Sequence, residues 1–342
     1  MGRLSPLSVF LFLLFSLSDS SHLPEPCEED PLFLYSNELR QDLRKQIGRS
    51  FSLARESIQI AMFSFTDSSL LSLLEERGKE GISVSLVCDA QFSSQLLKKC
   101  PPHVQSHFIS MEGLMHEKLV VIDEQYIWLG SCNFTDDSLR NHGNLMIWMR
   151  APELGKILSE HINALKRGEN LSHFPSREII GTAHPIMLEL FLLPDQGQGE
   201  QKILSLLRQA RSSIQMQMFT WTHLKYAEAV INAHLRGVRV AAVIDRNLGR
   251  GVGKGVVQKL VEAGVPVKYH GGFGLHHYKW ICIDQSILVT GSANWTRAAF
   301  SKNRDLFLVI SPLPGKQRQR IDRLMNLHWA WGEEVAREEK AA

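Results

Sequence analysis

The two halves of the chain repeat one pattern of strand-forming residues, and this repeat constrains the fold most strongly. Residues 57–66, SIQIAMFSFT, correspond to residues 213–222, SIQMQMFTWT, and residues 81–90, GISVSLVCDA, to residues 237–246, GVRVAAVIDR. Both pairs are 156 positions apart (213 − 57 and 237 − 81). In each half a helical stretch joins two strands, as in a βαβ unit. The sequence therefore predicts an α/β fold of two pseudo-twofold related lobes, each a mixed, mostly parallel sheet flanked by helices.

Length and turn residues suggest where the lobes begin and end. The 342 residues, 44% of them hydrophobic, suffice for two medium domains with real cores. Residues 167–185 are polar and broken by Gly and Pro, which is typical of a linker. The first lobe is accordingly predicted at residues 30–166 and the second at residues 186–335.

The first residues are typical of a signal segment. Residues 1–21 contain an early Arg3, then a short apolar run, then small polar residues suited to cleavage. The run is shorter than the roughly 20 residues that span a bilayer. We therefore expect export, periplasmic or secreted, with an uncleaved signal acting as an anchor as the alternative.

A second repeated segment contains the residues suited to catalysis. Residues 116–135, HEKLVVIDEQYIWLGSCNFT, and residues 277–296, HYKWICIDQSILVTGSANWT, are offset by 161 positions (277 − 116). Both fit the pattern His-x-Lys-x4-Asp-x6-Gly-Ser-x-Asn. Six fixed positions that match twice at one internal offset are a specific signal.

Strand periodicity assigns provisional roles within this pattern. Residues two apart on a strand face the same way, so each histidine should lie beside its lysine, while the motif aspartate, an odd step away, should face elsewhere and stabilise a turn. The Ser and Asn that follow offer hydroxyl and amide donors to a phosphate. The expected catalytic residues are His116, Lys118, Ser131, Asn133, His277, Lys279, Ser292 and Asn294, and the structural aspartates are Asp123 and Asp284.

Neither half is complete alone. One imidazole could attack phosphorus while the other protonates the leaving oxygen, which requires two histidines that face each other across an interface. One site between the lobes is therefore predicted.

The doubled motif resembles that of the phospholipase D superfamily, whose members carry it twice in a bilobal chain. The resemblance covers nearly all residues after the signal segment. It implies a phosphoric diester hydrolase that works through a phosphohistidine intermediate with no metal and no cofactor. Known members act on phospholipids, cardiolipin or nucleic acids, so the motif is weak evidence for the substrate.

One position departs from the family pattern. Family members usually place a glutamate 28 residues after the motif histidine, where it holds the ring. The corresponding residues here are Asn144 (116 + 28) and Asp305 (277 + 28). We expect Asn144 to orient His116, and Asp305 to orient His277 and raise its pKa. On this hypothesis His116 is the nucleophile and His277 is the general acid.

Charge and motif context favour a lipid substrate. The net charge is +2, from 38 Lys and Arg against 36 Asp and Glu, so no strong basic field points to nucleic acid. We expect a phospholipase D-type hydrolase that acts on phospholipid headgroups at a membrane surface, with no obligate protein partner. A secreted nuclease is the alternative; a phosphatidyl transferase and an inactive phosphate-binding module are less favoured.

Other residues have less specific interpretations. His276 is expected to have a packing or rim role, and Trp295 to line the mouth of the site. The glycine-rich segment 246–254 is either a solvated loop or a phosphate-facing lid. Cys27 and Cys100 lie in polar sequence and could pair, a question that an odd count of five cysteines leaves open. No cysteine has the spacing of a zinc ligand.

Overall fold

A computed structural model describes residues 23–169 and 175–337 of the chain. The predicted signal segment, residues 1–21, lies outside the described residues. Within the described part, no helix is both long enough and apolar enough to cross a bilayer.

The first half forms one sheet with helices around it. Its strands are β1 (Leu32–Tyr35), β2 (Ser57–Met62), β3 (Ser83–Asp89), β4 (Gln105–Ile109), β5 (Lys118–Ile122), β6 (Tyr126–Gly130) and β7 (Met146–Arg150). They lie in the order β1-β7-β6-β5-β2-β3-β4. The helices are α1 (Leu43–Phe51), α2 (Ser68–Lys79), α3 (Ser94–Lys99), α4 (Asp136–Arg140) and α5 (Pro152–Lys166), with a 3₁₀ turn at Asn37–Leu39.

The second half repeats this plan with additions at both sheet edges. Its strands are β8 (Ser176–Ile180), β9 (Ile186–Leu193), β10 (Ser213–Met218), β11 (Arg239–Ile244), β12 (Val267–Tyr269), β13 (Lys279–Ile283), β14 (Ile287–Gly291), β15 (Asp305–Ser311) and β16 (Glu333–Glu334). The order is β16-β12-β11-β10-β13-β14-β15-β9-β8. The helices are α6 (Gln198–Gln209), α7 (Leu224–Leu235), α8 (Arg246–Arg250), α9 (Lys254–Glu262), α10 (Arg297–Ser301) and α11 (Gly315–Trp331).

Two sheets flanked by helices confirm the predicted α/β fold class, but the strand directions differ from the prediction. Parallel pairing joins β2 to β3, β3 to β4, β10 to β11 and β11 to β12, whereas the other neighbouring strands pair antiparallel. The expectation of mostly parallel sheets was therefore wrong. Each βαβ unit does form a parallel pair, but each motif segment folds as a tight hairpin, β5–β6 or β13–β14, and hairpins are antiparallel.

The segment that the sequence indicated as a linker contains part of the second sheet. Within residues 167–185, the strand β8 pairs antiparallel with β9 at the edge of that sheet. The change from one sheet to the other thus occurs between the end of α5 and the start of β8.

One apolar cluster is shared by the two lobes. It lies between the sheets and includes side chains from β5, β7, β13, β14 and β15, among them Leu119, Ile147, Trp280, Leu288 and Leu308, all of them almost completely buried. Two further clusters lie within the individual lobes. Because protein interiors are close-packed, the shared cluster fixes the two lobes against each other.

Candidate active site

Each motif histidine lies two residues before the start of a buried strand, in a segment that a carboxylate holds in place. Asp89, which ends β3, accepts a hydrogen bond from the backbone N–H of Met115 at 3.1 Å. Asp245, just after β11, accepts one from the backbone N–H of His276 at 3.0 Å. Both aspartates stand at the carboxyl end of the second repeated strand of their lobe, Asp89 as its last residue and Asp245 one residue beyond it. Their role in fixing the residue before each motif histidine was not predicted.

Backbone bonds between the lobes bring each histidine to the opposite lobe. The backbone N–H of His116 donates to the carbonyl of Arg304 at 2.7 Å, and the N–H of Arg304 donates to the carbonyl of Leu114 at 2.8 Å. The approach to the second histidine is held in the same way, because the N–H of Gly143 donates to the carbonyl of Leu275 at 2.9 Å. Each motif histidine is thereby fastened to the other lobe.

The ring partners of the two histidines are exchanged between the lobes. Nδ1 of His116 lies 2.8 Å from Oδ1 of Asp305, and Nδ1 of His277 lies 3.0 Å from Oδ1 of Asn144. The expected pairs, His116 with Asn144 and His277 with Asp305, were wrong.

Strand order explains this exchange. Within one sheet, β14 separates β13 from β15, and neighbouring strands lie about 4.8 Å apart, so Asp305 at the start of β15 is about two strand spacings from its own lobe's motif strand. The facing lobe brings His116 closer.

The motif serines bond to the ring partners. Oγ of Ser131 donates to Oδ1 of Asn144 at 2.8 Å, and Oγ of Ser292 donates to Oδ1 of Asp305 at 2.6 Å. The expectation that these hydroxyls would bind phosphate directly is thus corrected. Each hydroxyl also accepts a backbone N–H at the start of β7 or β15. The serines therefore position Asn144 and Asp305, which in turn position the two histidine rings.

Both motif lysines are buried beside their histidines. Nζ of Lys118 donates to the carbonyl of His116 at 2.5 Å, and Nζ of Lys279 donates to the carbonyl of His277 at 2.9 Å. Each ammonium lies 4.9 Å from the centre of an aromatic ring. In the first lobe this ring is that of Phe63. The equivalent ring in the second lobe is Phe219, which also packs edge-on against His277.

Burial makes these cations easy to deprotonate. Loss of hydration lowers the pKa of Lys118 to about 7 and holds the pKa of Lys279 well below its usual 10.5. The same cause, reinforced by both lysines, holds the pKa of His277 well below 6.5. Burial and Lys118 also lower the pKa of His116, while the Asp305 carboxylate opposes that shift. A bound anion would favour the protonated, positively charged forms of these lysines and histidines.

The two motif aspartates lie in hairpin turns. Asp123 and Asp284 have φ of 50° and 51°, in the left-handed region. The carboxylate of Asp123 accepts backbone N–H groups of residues 55–57, and that of Asp284 accepts those of residues 211–213, at 2.7–3.1 Å. Each carboxylate therefore fastens a hairpin turn to the start of β2 or β10.

The side-chain oxygens of the two motif asparagines have no partner in the described part of the chain. Asn133 and Asn294 are half-buried, and Oδ1 of each is buried with no hydrogen-bond partner among the described residues. Trp295, which was expected at the mouth, is only 3% exposed and packs on Trp221 and Tyr226, so that expectation was wrong.

Segment 246–254 is not an open loop. It begins with the helix α8, whose terminal arginines both pair with Glu333. Cys27 and Cys100 are free thiols.

Comparisons with known proteins identify a matching family and several relatives. The family model described as "Cardiolipin synthase, PLD-like domain" matches residues 47–166 and 203–329. A mitochondrial cardiolipin hydrolase of Xenopus tropicalis is 33% identical over 117 residues, 34% of this chain and 55% of that protein. A phospholipase D of Rickettsia typhi is 35% identical over 109 residues, 32% of this chain and 52% of that protein. The chain thus spans about half the length of these curated relatives.

A solved structure shows the same bilobal fold over most of the chain. Phosphatidylserine synthase of Haemophilus influenzae Rd KW20 superposes with a TM-score of 0.68 and 13% identity, covering 91% of this chain and 89% of that one. At that identity the likeness concerns the fold alone. The family match covers both lobes and their motifs, and the chain therefore belongs to the phospholipase D superfamily.

Proposed function

We propose that this chain hydrolyses a phosphodiester in two steps through a phosphohistidine on His116. The observation that carries the proposal is the hydrogen bond of 2.8 Å between the His116 ring and the Asp305 carboxylate. A carboxylate can only accept this bond, so Nδ1 carries the proton and Nε2 is the reactive nitrogen. The arrangement is that of an imidazole activated by a carboxylate.

In the first step, Nε2 of His116 attacks phosphorus and the bond from phosphorus to the leaving oxygen breaks. The His116 ring gains positive charge, which Asp305 stabilises, while His277 gives its Nε2 proton to the leaving oxygen. In the second step, His277 takes a proton from water, the resulting hydroxide attacks phosphorus, and the bond from phosphorus to nitrogen breaks. Lys118 and Lys279 would stabilise the non-bridging oxygens in both steps.

The different partners of the two rings favour this division of roles. The nucleophile gains charge in the first step, and a carboxylate at its ring stabilises the transition state more than the ground state. The general acid loses charge, and a carboxylate beside it would hold the proton back. The neutral amide of Asn144 suits the acid, His277, because it fixes the ring without retaining the proton. The roles expected from sequence are therefore kept, but for the opposite reason.

The donor set does not call for a divalent cation in the chemical step. Of the two ring partners, Asn144 is neutral and Asp305 is a carboxylate whose Oδ1 is already engaged by His116 and Ser292. Buried lysines take the place that Mg²⁺ or Ca²⁺ would have at a phosphate. We propose that catalysis is independent of added Mg²⁺ and Ca²⁺.

A phospholipid headgroup is the substrate that the rim of the site fits best. Phe273 is fully exposed, and Val252 is 68% exposed. Both residues follow the carboxyl ends of neighbouring parallel strands, β12 and β11. The motif segment that begins with His277 starts at this same end of the strands. Phe92, 43% exposed, follows β3 in the first lobe and packs at a tilt against Phe63, with ring centroids 4.4 Å apart. Exposed apolar side chains grouped around a site are typical of a surface that contacts lipid.

A parallel assay tests the reaction and its substrate. The purified chain is incubated with vesicles of phosphatidylcholine, vesicles of cardiolipin and single-stranded DNA, without added Mg²⁺ or Ca²⁺, beside His116→Ala. We expect phosphatidic acid or phosphatidylglycerol to form from lipid, and the variant to lose activity by about 10³-fold or more. Cleavage of DNA alone would replace the lipid proposal with the nuclease alternative. Activity that survives in His116→Ala would contradict the mechanism itself.

We also propose that the chain is exported, on the composition of residues 1–21. Amino-terminal sequencing of the protein from culture medium and from membranes tests this. Cleavage after the apolar run supports export, and a full-length protein in the cytosol contradicts it.

A further inference from the structure

Three histidines that the sequence separates meet in one buried cluster next to the active site. His270 follows β12, His276 directly precedes the motif histidine, and His328 lies on α11. Their ring centroids are 4.5–5.2 Å apart, and one possible ligand atom from each lies within 4.8 Å of the others. His276 and His328 are fully buried, and His270 is 4% exposed.

The cluster has nitrogens that nothing in the described chain satisfies. Both ring nitrogens of His276, and Nδ1 of His328, are buried without a hydrogen-bond partner among the described residues. A buried polar atom without a partner destabilises a native fold, so each one calls for an explanation, and a bound ion would supply it here.

A carboxylate from the first lobe fixes one of these rings for ligation. Nε2 of His328 lies 2.7 Å from Oε2 of Glu38, which also accepts a hydrogen bond from the hydroxyl of Tyr278. Because the carboxylate can only accept, Nε2 carries the proton and Nδ1 presents its lone pair. Histidines that bind metals commonly donate their other ring N–H to a carboxylate in this way.

The first lobe shows that the fold does not require histidines here. The offset of 161 positions aligns residues 104–118, VQSHFISMEGLMHEK, with residues 265–279, VPVKYHGGFGLHHYK, without a gap. Ile109 then corresponds to His270 (270 − 161), and Met115 to His276 (276 − 161). Met115 is fully buried in the first lobe. The second lobe thus has two imidazoles where apolar side chains serve in the first.

We propose that His270, His276 and His328 bind a zinc ion. Three neutral imidazoles suit Zn²⁺, which binds histidine nitrogen at about 2.0–2.1 Å and takes a water as a fourth ligand. The rings draw closer on binding, and the glycines at positions 271 and 272 give the intervening chain that freedom. The ion would tie α11 and Glu38 to the segment that carries His277. Its role is to hold the site together, and it takes no part in the chemical step.

Metal analysis of the full chain, purified without a metal-affinity tag, tests the proposal. The protein is dialysed against chelator, titrated with ZnCl₂, and passed through a desalting column before its zinc is measured. We expect about one tightly held zinc per chain, a rise in the thermal midpoint on zinc addition, and the visible absorption bands of four-coordinate cobalt when Co²⁺ replaces it.

Three variants separate zinc binding from folding. The double variant His270→Ile/His276→Met carries the residues of the first lobe, so it should fold, and we expect it to lose the zinc. Glu38→Gln should weaken zinc affinity by about 10–100-fold, because it removes the carboxylate behind His328. The matched control is His161→Gln, since His161 is also a buried helix histidine, 2.7 Å from Glu117, but lies outside the cluster. It should keep the zinc.

Two results would overturn the proposal. One is a folded wild-type chain that retains no zinc and shows no thermal shift on zinc addition, in which case the histidines only pack. The other is a double variant that retains as much zinc as the wild type, which would place the ion elsewhere.

Discussion

Asp305 and Asn144 occupy equivalent positions in the two lobes, yet one offers a carboxylate and the other a neutral amide. This single difference makes the two histidines chemically unequal within a nearly symmetric site. The ring beside Asp305 can bear positive charge, whereas the ring beside Asn144, flanked by two lysines, releases a proton readily. The division of roles between His116 and His277 depends on this pair of residues.

The lowered pKa of His277 predicts an acidic optimum. The general acid must be protonated, and its activity is lost as pH rises through its pKa, which lies well below 6.5 in the free chain. We expect kcat/KM to be highest on the acid side of pH 6.5. Asn144→Asp places a carboxylate beside His277 and should move the alkaline limb of the profile to higher pH. A profile that Asn144→Asp leaves in place would contradict this role of His277.

Asp305→Asn should lower kcat by about 10²–10⁴-fold while the chain remains folded, because the charge that develops on His116 loses its carboxylate. Steady-state kinetics on a soluble phosphodiester measures this loss, and circular dichroism checks the fold. Asp305→Glu is the matched control: it keeps a carboxylate and should retain more activity than the amide. Equal activities for the two variants would show that His116 needs only an acceptor of either charge.

At the scale of the elements, the site is determined by two hairpins and by the segments that follow the carboxyl ends of three parallel strands. The hairpins β5–β6 and β13–β14 place the lysines in the core, and the segments after β3, β11 and β12 carry the exposed Phe92, Val252 and Phe273. Periodicity predicted that His and Lys lie together on each motif strand. It could not reveal which side chains of the other lobe would complete the site.

The turn aspartates should contribute to stability. Although partial burial opposes it, the backbone N–H groups of residues 211–213 lower the pKa of Asp284. This stabilisation is present above the unfolded pKa of about 3.9 and is lost as pH falls through the lower folded value. Asp284→Ala should reduce the free energy of unfolding at pH 7 by about 1–2 kcal/mol in denaturant titrations, and Asp284→Asn, which keeps an acceptor, should reduce it less. Equal stability of Asp284→Ala and wild type would refute the role.

The exposed rim should matter for lipid but not for chemistry. Phe273→Ser removes a fully exposed aromatic ring, and we expect about 10–100-fold weaker binding to vesicles, with unchanged kcat on a soluble short-chain phosphodiester. Vesicle sedimentation and the two assays measure this. Leu235→Ser is the control. Leu235 is 70% exposed, but it is the last residue of α7 and lies near the amino ends of the parallel strands, away from the site. Equal losses in both variants would mean that the rim has no special role.

At the scale of the whole molecule, the sequence predicted more of the plan than of the connections. The repeat of residues 57–66 and 213–222 indicated two lobes, and the doubled motif indicated one shared site. The exchange of Asp305 and Asn144 was missed, because counting 28 residues along one lobe ignores the strand that lies between. The pairing of residues 114–116 with Arg304 was missed for a related reason: a backbone bond between lobes has no local pattern.

The shared apolar cluster fixes the contacts that Asp305 and Asn144 make with the histidines of the opposite lobes. Because side chains of both sheets pack together between the lobes, each lobe holds the other's histidine in a fixed place. The His270, His276 and His328 cluster illustrates the same point, since its members and Glu38 come from three separated segments. Single-segment patterns do not predict such sites.

Mapping the covalent intermediate identifies which histidine carries the phosphoryl group. A phosphodiester with a p-nitrophenyl leaving group needs no general acid to depart, so His277→Ala should still form the phosphohistidine but hydrolyse it slowly. We predict a burst of about one equivalent of p-nitrophenol in His277→Ala and, after an alkaline quench that preserves phosphohistidine, a modified peptide that contains His116. His116→Ala should give no burst. A burst in His116→Ala, or the phosphoryl group on His277 in the wild type, would contradict the mechanism.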